Sequence, residues 1–345
     1  MSRLFSTSSL RQAVSEPRPS DEAARQPGIV RFYSFLEPGA GFATDAKAGL
    51  AAPRKMIPGA WRFDGPGMMA YEALCGTPEY SLARAERALL VRHSQDVLLA
   101  AGLNPLLIEM GPPAGINSGA LIEALKPALY LSVGMDLLSA QASAVLLAAD
   151  HPALNIAGML AAPRQSLVLP VFPGVSSGRK VVFLSAAATS CHTADSLSEV
   201  LRQAAQIAGK GGILIAGVGL QKGRRQLEAA GNDAQGFAAR LNRNLLQRIN
   251  RELGGDFQSE RFRHVAVHNE KLGCTGFYLE SEFEQFAMVD GQRHDFAAGE
   301  VMLTGIASQF AQPAFERLVI EAGFTLQKAW ADDARWVSVN VFTVK

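Results

Sequence analysis

Short apolar runs, each followed by a turn and then by a segment of helical spacing, recur through the middle of the chain. Leu106, Leu107 and Ile108 read as a buried strand, Gly111 to Gly119 as its turn, and Ala120 to Leu125 as the following helix. Leu129 to Val133 predicts a second strand with Ser139 to Ala149 as its helix, and Asn155 to Ala157 a short third strand. Lys180 to Leu184 and Gly212 to Ala216 predict a fourth and a fifth, with a helix over Ser196 to Ala208 between them. Strands alternating with helices in this way form a parallel, doubly wound α/β sheet with right-handed crossovers.

From Gly223 the pattern changes. Phe237 to Leu253 predicts a long amphipathic helix, with Leu241, Leu245, Leu246 and Ile249 on one side and Arg240, Arg243, Arg248 and Arg251 on the other. His264 to His268, Gly276 to Leu279 and Glu300 to Thr304 read as strands. Phe315 to Ala322 follows as a helix, then Phe324 to Trp330 as a strand and Trp336 to Val344 as an alternating final strand. Near the start, Gly28 to Ala52 holds the apolar patch IVRFYSFL. Met68 to Leu74 has helical spacing, Thr77-Pro78 ends it, and Ser81 is placed to cap a second helix carrying Arg84, Glu86 and Arg87.

Length and composition permit two domains or one large unit: 345 residues, 48% of them hydrophobic, support a well-buried core. A net charge of +1 without a basic stripe argues against nucleic-acid binding as the main task, because neutralising phosphates calls for a basic excess. Cys75, Cys191 and Cys274 are odd in number and far apart, so no disulfide framework or zinc spacing is present and a reducing, cytoplasmic compartment is expected. No run approaches the roughly 20 apolar residues of a membrane span. The first 27 residues read as a disordered tail. A mitochondrial presequence is the alternative, opposed by the acids Glu16, Asp21 and Glu22.

The turn after Leu106 to Ile108 is the place for chemistry. At the carboxyl end of a parallel strand, with a helix N-terminus facing it, an open α/β sheet receives nucleotide-like ligands. An ordinary βα loop is the competing reading, and Pro112-Pro113 favours it, since neither residue offers an N–H. His264 and His268 share one strand face but lack a third ligand for a metal. Cys191 and His192 are adjacent at a strand end and point apart, so they are not expected to form a nucleophile pair.

Three segments then carry a family pattern. IPGAWRFDGPGMMAYEALCGTPEYSLARAE resembles the entry segment of the ergothioneine-pathway histidine Nα-methyltransferases, roughly P-x-x-[WF]-x-x-D-x-x-G-x-x-[LM]-[FY]-x-x-[IL]-x-x-x-P-E-Y-Y-x-x-R-x-E. AGNDAQGFAARLNRNLLQRINRELGGDF is similar to that family's insertion helix, and FAAGEVMLTGIASQF to its later strand. The resemblance implies a class I S-adenosylmethionine (SAM) methyltransferase, Rossmann-like over 85–222 and 311–345, with an α+β substrate domain from 28–84 and 223–310. In that family the second domain holds an amino acid's carboxylate and α-amine against the methyl donor.

Matched residue by residue, the implied sites are altered. The cofactor positions fall on Glu109, Gly111, Gly115, Gly134 and Met159, where Gly134 replaces the ribose acid and Met159 the acid of the adenine contact. The substrate positions fall on Tyr71, Tyr80, Arg84, Ser190, Asn242, Phe277, Gly305 and Ala307. Ser190 replaces the asparagine for the substrate amine, and Gly305 and Ala307 replace the glutamate and serine that read the imidazole. Each lost charge-assisted hydrogen bond is worth about 1.5 to 3 kcal/mol, against about 8 kcal/mol for a micromolar cofactor. Ordinary SAM affinity and histidine specificity are therefore not expected. The expectation is a non-catalytic pseudo-methyltransferase that binds a small amino acid or amine or pairs with an active relative. The alternative is an active SAM-dependent N-methyltransferase with a different amino acid or amine as substrate.

Overall fold

The sheet core shows its logic in β2 (Leu106–Met110). Leu106, Ile108 and Met110 face one helical layer and Leu107 the other, as successive strand side chains must. In the computed structural model, which describes residues 30–35, 41–111, 115–161, 167–172 and 178–345, both faces of this strand are covered. The expected tail over 1–27 and the Pro112-Pro113 pair lie outside the described residues.

β3 (Leu129–Gly134), β4 (Ile156–Leu160), β5 (Lys180–Leu184) and β6 (Ile213–Gly219) run parallel to β2. β12 (Phe324–Ala331) and β13 (Val337–Val344) form an antiparallel hairpin that pairs with β6. β1 (Val30–Ser34), which the sequence grouped with the second body, pairs in parallel with β4 and sets Phe32 opposite Gly158. The eight-stranded order is β1-β4-β3-β2-β5-β6-β13-β12. Direction reverses at β2: later strands add on one side as β3 and β4, then on the other as β5 and β6. A crevice at the carboxyl ends results.

α3 (Leu82–Arg92), α4 (Ser94–Ala101), α5 (Gly115–Leu125) and α6 (Leu137–Asp150) contribute buried residues to the core on one face. α8 (Ala194–Ala208) and α11 (Gln312–Glu321) cover the other. α7 (Ala186–Ser190) is a single turn after β5, capped by the Ser185 hydroxyl. Ser81 does not cap α3 through its side chain; its hydroxyl donates to the Pro78 carbonyl at 3.4 Å instead.

Beside the sheet, β7 (Phe262–Asn269), β8 (Cys274–Ser281) and β11 (Val301–Ser308) form an antiparallel sheet in the order β11-β8-β7. β9 (Gln285–Val289) and β10 (Gln292–Phe296) form a separate hairpin. Packed with them are α1 (Phe42–Ala51), α2 (Gly65–Cys75), α9 (Arg224–Gly231) and α10 (Phe237–Leu253). α10 has the predicted bounds, but Arg248 is not on its solvent face. It is 1% exposed, lying 4.4 Å from the Phe42 ring centre and bidentate to Asp136 at 2.8 and 3.1 Å. A helical wheel groups this arginine with its exposed neighbours, and only the tertiary partner explains its burial. Asp64 makes a second tie: it caps α2 by accepting the Gly67 N–H and also accepts from Asn244 at 2.6 Å.

Candidate ligand cavity

A cavity of about 600 Å³ opens at the carboxyl ends of β2 and β3, within the range of small-molecule sites. Met110, Gly111, Ser132, Val133 and Gly134 form its floor. The segment Met56 to Phe63 and the β11 residues Leu303, Gly305 and Ile306 form the opposite wall. Gly111 makes the turn at φ +107°, a conformation that favours glycine, and a Cβ there would lie 2.9 Å from that of Ala188.

Two charged residues line this space among the described residues, Asp136 and Arg62. Asp136 caps α6, accepting from the Ser139 N–H and hydroxyl as well as from Arg248. Burial opposes its ionisation, but the Arg248 and Ser139 hydrogen bonds and the Arg248 charge outweigh it and hold the carboxyl below its ordinary range. It is thus a committed carboxylate that ties α10 to the sheet body.

Arg62 is different. It is 4% exposed, and its Nε donates to the Gly59 carbonyl at 3.1 Å. Its guanidinium carbon lies 5.1 Å from the Phe277 ring centre and 5.7 Å from that of Phe63. Among the described residues no carboxylate pairs with it, and its terminal nitrogens have no hydrogen-bond acceptor. Burial lowers its pKa, opposed by Cys191 and Tyr80, yet a guanidinium remains charged at neutral pH. Cys191 and His192 also line the cavity but do not activate each other. The Cys191 thiol donates to the Ala187 carbonyl at 3.3 Å, while His192 Nδ1 lies 3.4 Å from the Ser196 hydroxyl. Burial raises the thiol pKa and lowers that of the imidazole, leaving both neutral.

The residues matched to family positions separate in space. Gly111, Gly134 and Gly305 line the large cavity, and Gly115 is the first residue of α5. Tyr80, Ser190, Phe277 and Ala307 line a smaller one of about 60 Å³. Glu109, Met159, Tyr71, Arg84 and Asn242 line neither. Glu109 is buried against α5 and accepts from the Ser118 and Tyr130 hydroxyls. Met159 packs in the sheet core. Tyr71 packs edge-on against Phe63 and Tyr80. Arg84 closes the turn between α2 and α3 by donating to the Cys75 and Thr77 carbonyls, each at 2.5 Å. Both amide protons of Asn242 are engaged, by the Tyr278 carbonyl and His264 Nδ1 at 3.0 Å, and its oxygen accepts from Thr304. His268 pairs with the Thr275 hydroxyl at 3.1 Å, and among the described residues no cluster of His, Cys, Asp and Glu could hold a metal. None of their helices is long and apolar enough to cross a membrane. Sequence reasoning missed Arg62 and Asp136. The available signal was a lone cation between aromatic residues in AWRFD.

A family model described as histidine-specific, SAM-dependent methyltransferase matches residues 42–344. The chain belongs to that family. The histidine N-alpha-methyltransferase of Mycolicibacterium smegmatis is 29% identical over 296 residues, covering 84% of this chain and 91% of the relative. That of Mycobacterium tuberculosis is 28% identical over 317 residues, with the same coverage. Among solved structures, the magnesium protoporphyrin IX methyltransferase ChlM of Synechocystis PCC 6803 with bound SAH aligns at TM-score 0.44 and 12% identity. The alignment covers 82% of this chain and 96% of that one.

For a SAM-dependent methyltransferase the cavity is in the expected place and is large enough for the donor. At the end of β3 Gly134 offers the cavity no side chain, and the nearby Asp136 is engaged by Arg248. The charge in the wall that has no partner among the described residues is a cation, Arg62.

Proposed function

We propose that this family member does not methylate histidine and acts as a non-catalytic binding subunit, with the donor cavity retained as a small-molecule site. Pairing with an active relative is part of this reading. The observation that carries it is the cavity wall at the end of β3, where Gly134 leaves the ribose position bare and Asp136 is committed to α10. At the substrate end, Gly305 and Ala307 supply no polar side chain, and the group standing at Gly305 is the donor-only Arg62 cation, which cannot accept an imidazole N–H and repels an imidazolium. Calorimetric titration with SAM, together with a labelled-methyl assay on histidine, tests the proposal. The expected result is SAM binding weaker than about 100 μM, the loss of two or more charge-assisted contacts from a micromolar complex, and no methylated histidine. Low-micromolar SAM binding with turnover of histidine overturns it.

The retained cavity volume supports a second reading, an active N-methyltransferase for another amino acid or amine. Methyl transfer from labelled SAM to any amine in a screen would establish it. A blank screen, alone and with an active relative added, would remove it.

A further inference from the structure

The volume in front of β11 at Gly305 is not vacant. A Cβ built on Gly305 would lie 2.6 Å from an Arg62 terminal nitrogen and 2.9 Å from its guanidinium carbon, so the absence of a side chain at 305 is what admits the arginine. The guanidinium is held from behind by the Gly59 carbonyl and flanked by Phe63 and Phe277. Its terminal nitrogens, on a side chain 4% exposed, find no acceptor among the described residues while Arg62 lines the cavity. A buried cation left in this state is a donor set awaiting an acceptor, and two parallel N–H groups match a carboxylate in geometry as well as charge. Most of the remaining cavity wall is apolar, from Ile57, Val133, Leu167, Leu184 and Val200 among others.

We propose that Arg62 anchors the carboxylate of a ligand whose body is otherwise apolar, seated in the cavity at the carboxyl ends of β2 and β3. This rests on the reading of that cavity as a retained ligand site. SAM carries a carboxylate on its methionine end, so one recognition chemistry has two possible sources, and the Gly134 wall favours the apolar acid.

The test is calorimetric titration of the full chain with aromatic monocarboxylates such as phenylacetate and indole-3-acetate, with their matched neutral amides, and separately with SAM. At least one acid is expected to bind about tenfold or more tightly than its amide, the factor for one charge-assisted hydrogen bond. Arg62→Met is expected to reduce that ratio to about one, with a thermal melt confirming that the variant is folded. Gly305→Ala gives a second arm, read beside its own thermal melt because φ +158° at 305 strains any side chain: its methyl displaces the guanidinium without removing the charge, and the same loss of acid preference is expected from a folded variant. Acids and amides binding alike, no acid binding at millimolar concentration, or an acid preference untouched by both substitutions overturns the proposal. The SAM arm separates the two readings. Low-micromolar SAM binding that Arg62→Met weakens tenfold keeps the anchor while overturning both the apolar ligand class and the weak-SAM reading above. Low-micromolar SAM binding insensitive to Arg62, with acids and amides alike, overturns both.

Discussion

Replacing Glu86 by glutamine separates one buried proton from the rest of the fold. The Glu86 carboxyl is 1% exposed, beneath α7; it accepts the Ala186 N–H at 2.8 Å and meets the Asn117 side-chain amide. No cation pairs with it among the described residues, and a Cβ on Gly217 would lie 1.8 Å from its Oε1, so the site is tight as well as dry. Burial pushes its pKa up to about 8, against the two hydrogen bonds, with the charge of Glu109 adding to the rise. The folded pKa is raised above the ordinary value of 4.5. The stability carried by the proton is therefore complete below about pH 4.5 and is lost as pH rises to about 8. A shift of this size corresponds to about 5 kcal/mol, of which about 3 kcal/mol falls between pH 5.5 and 8.

Glu86→Gln keeps the shape and cannot ionise. Its oxygen can accept from Ala186, and its amide can donate to the Asn117 oxygen, which otherwise has no partner. Urea unfolding of both proteins at about pH 5.5, 6.5, 7.5 and 8.5 measures the difference between them. His192, His264 and His294, whose pKa values burial lowers, titrate alike in both proteins and cancel. The variant is expected to gain about 3 kcal/mol on the wild type across the range. A difference constant to within about 0.5 kcal/mol would mean that Glu86 is ionised in the folded chain and that the argument from burial is wrong.

Arg248→Met leaves the Asp136 carboxylate without its partner and is expected to cost about 3 to 5 kcal/mol in urea unfolding. Adding Asp136→Asn should recover part of that loss, and no recovery would mean that ring packing on Phe42 and Trp61, not the ion pair, holds α10. Gly134→Asp restores an acid at the end of β3, where a new Cβ meets nothing nearer than the Gly111 carbonyl at 3.8 Å. It is expected to tighten SAM binding about tenfold by calorimetry, and unchanged affinity would show that position 134 does not govern the donor.

The central sheet was legible because strands covered on both faces read as unbroken apolar runs, and Lys180–Leu184 emerged with the predicted bounds. Phe237–Leu253 was legible for the corresponding helical reason, its period of apolar residues. What escaped depended on partners distant in sequence. The IVRFYSFL patch was visibly apolar, yet the parallel pairing of its Val30–Ser34 part with β4 is non-local. The β9–β10 hairpin carried a readable signal, Asp290-Gly291 with φ of +47° and +74°, the conformation of a tight two-residue turn. Of its strands, QRHDF was too polar to announce itself, and QFAMV, though apolar, was too short to set a period.

The altered site shows the same limit in sharper form. Read along the chain against the family pattern, Gly305 is a deletion: the resemblance implies a glutamate there, and glycine has no side chain. Read in space, the volume such a side chain would enter is filled by the guanidinium of Arg62, which arrives from the neighbouring segment Met56 to Phe63 of the same wall. A motif counted position by position scores one loss and ignores the arginine, whose neighbours Trp61 and Phe63 draw attention only as core residues. On that resemblance, the two positions together exchange an anion for a cation at the same place. A site that has changed the sign of its charge discriminates by that charge, since a group of the former sign is now repelled and one of the opposite sign is attracted. On the proposal for Arg62, the altered residues amount to a changed ligand preference and not to a site worn away.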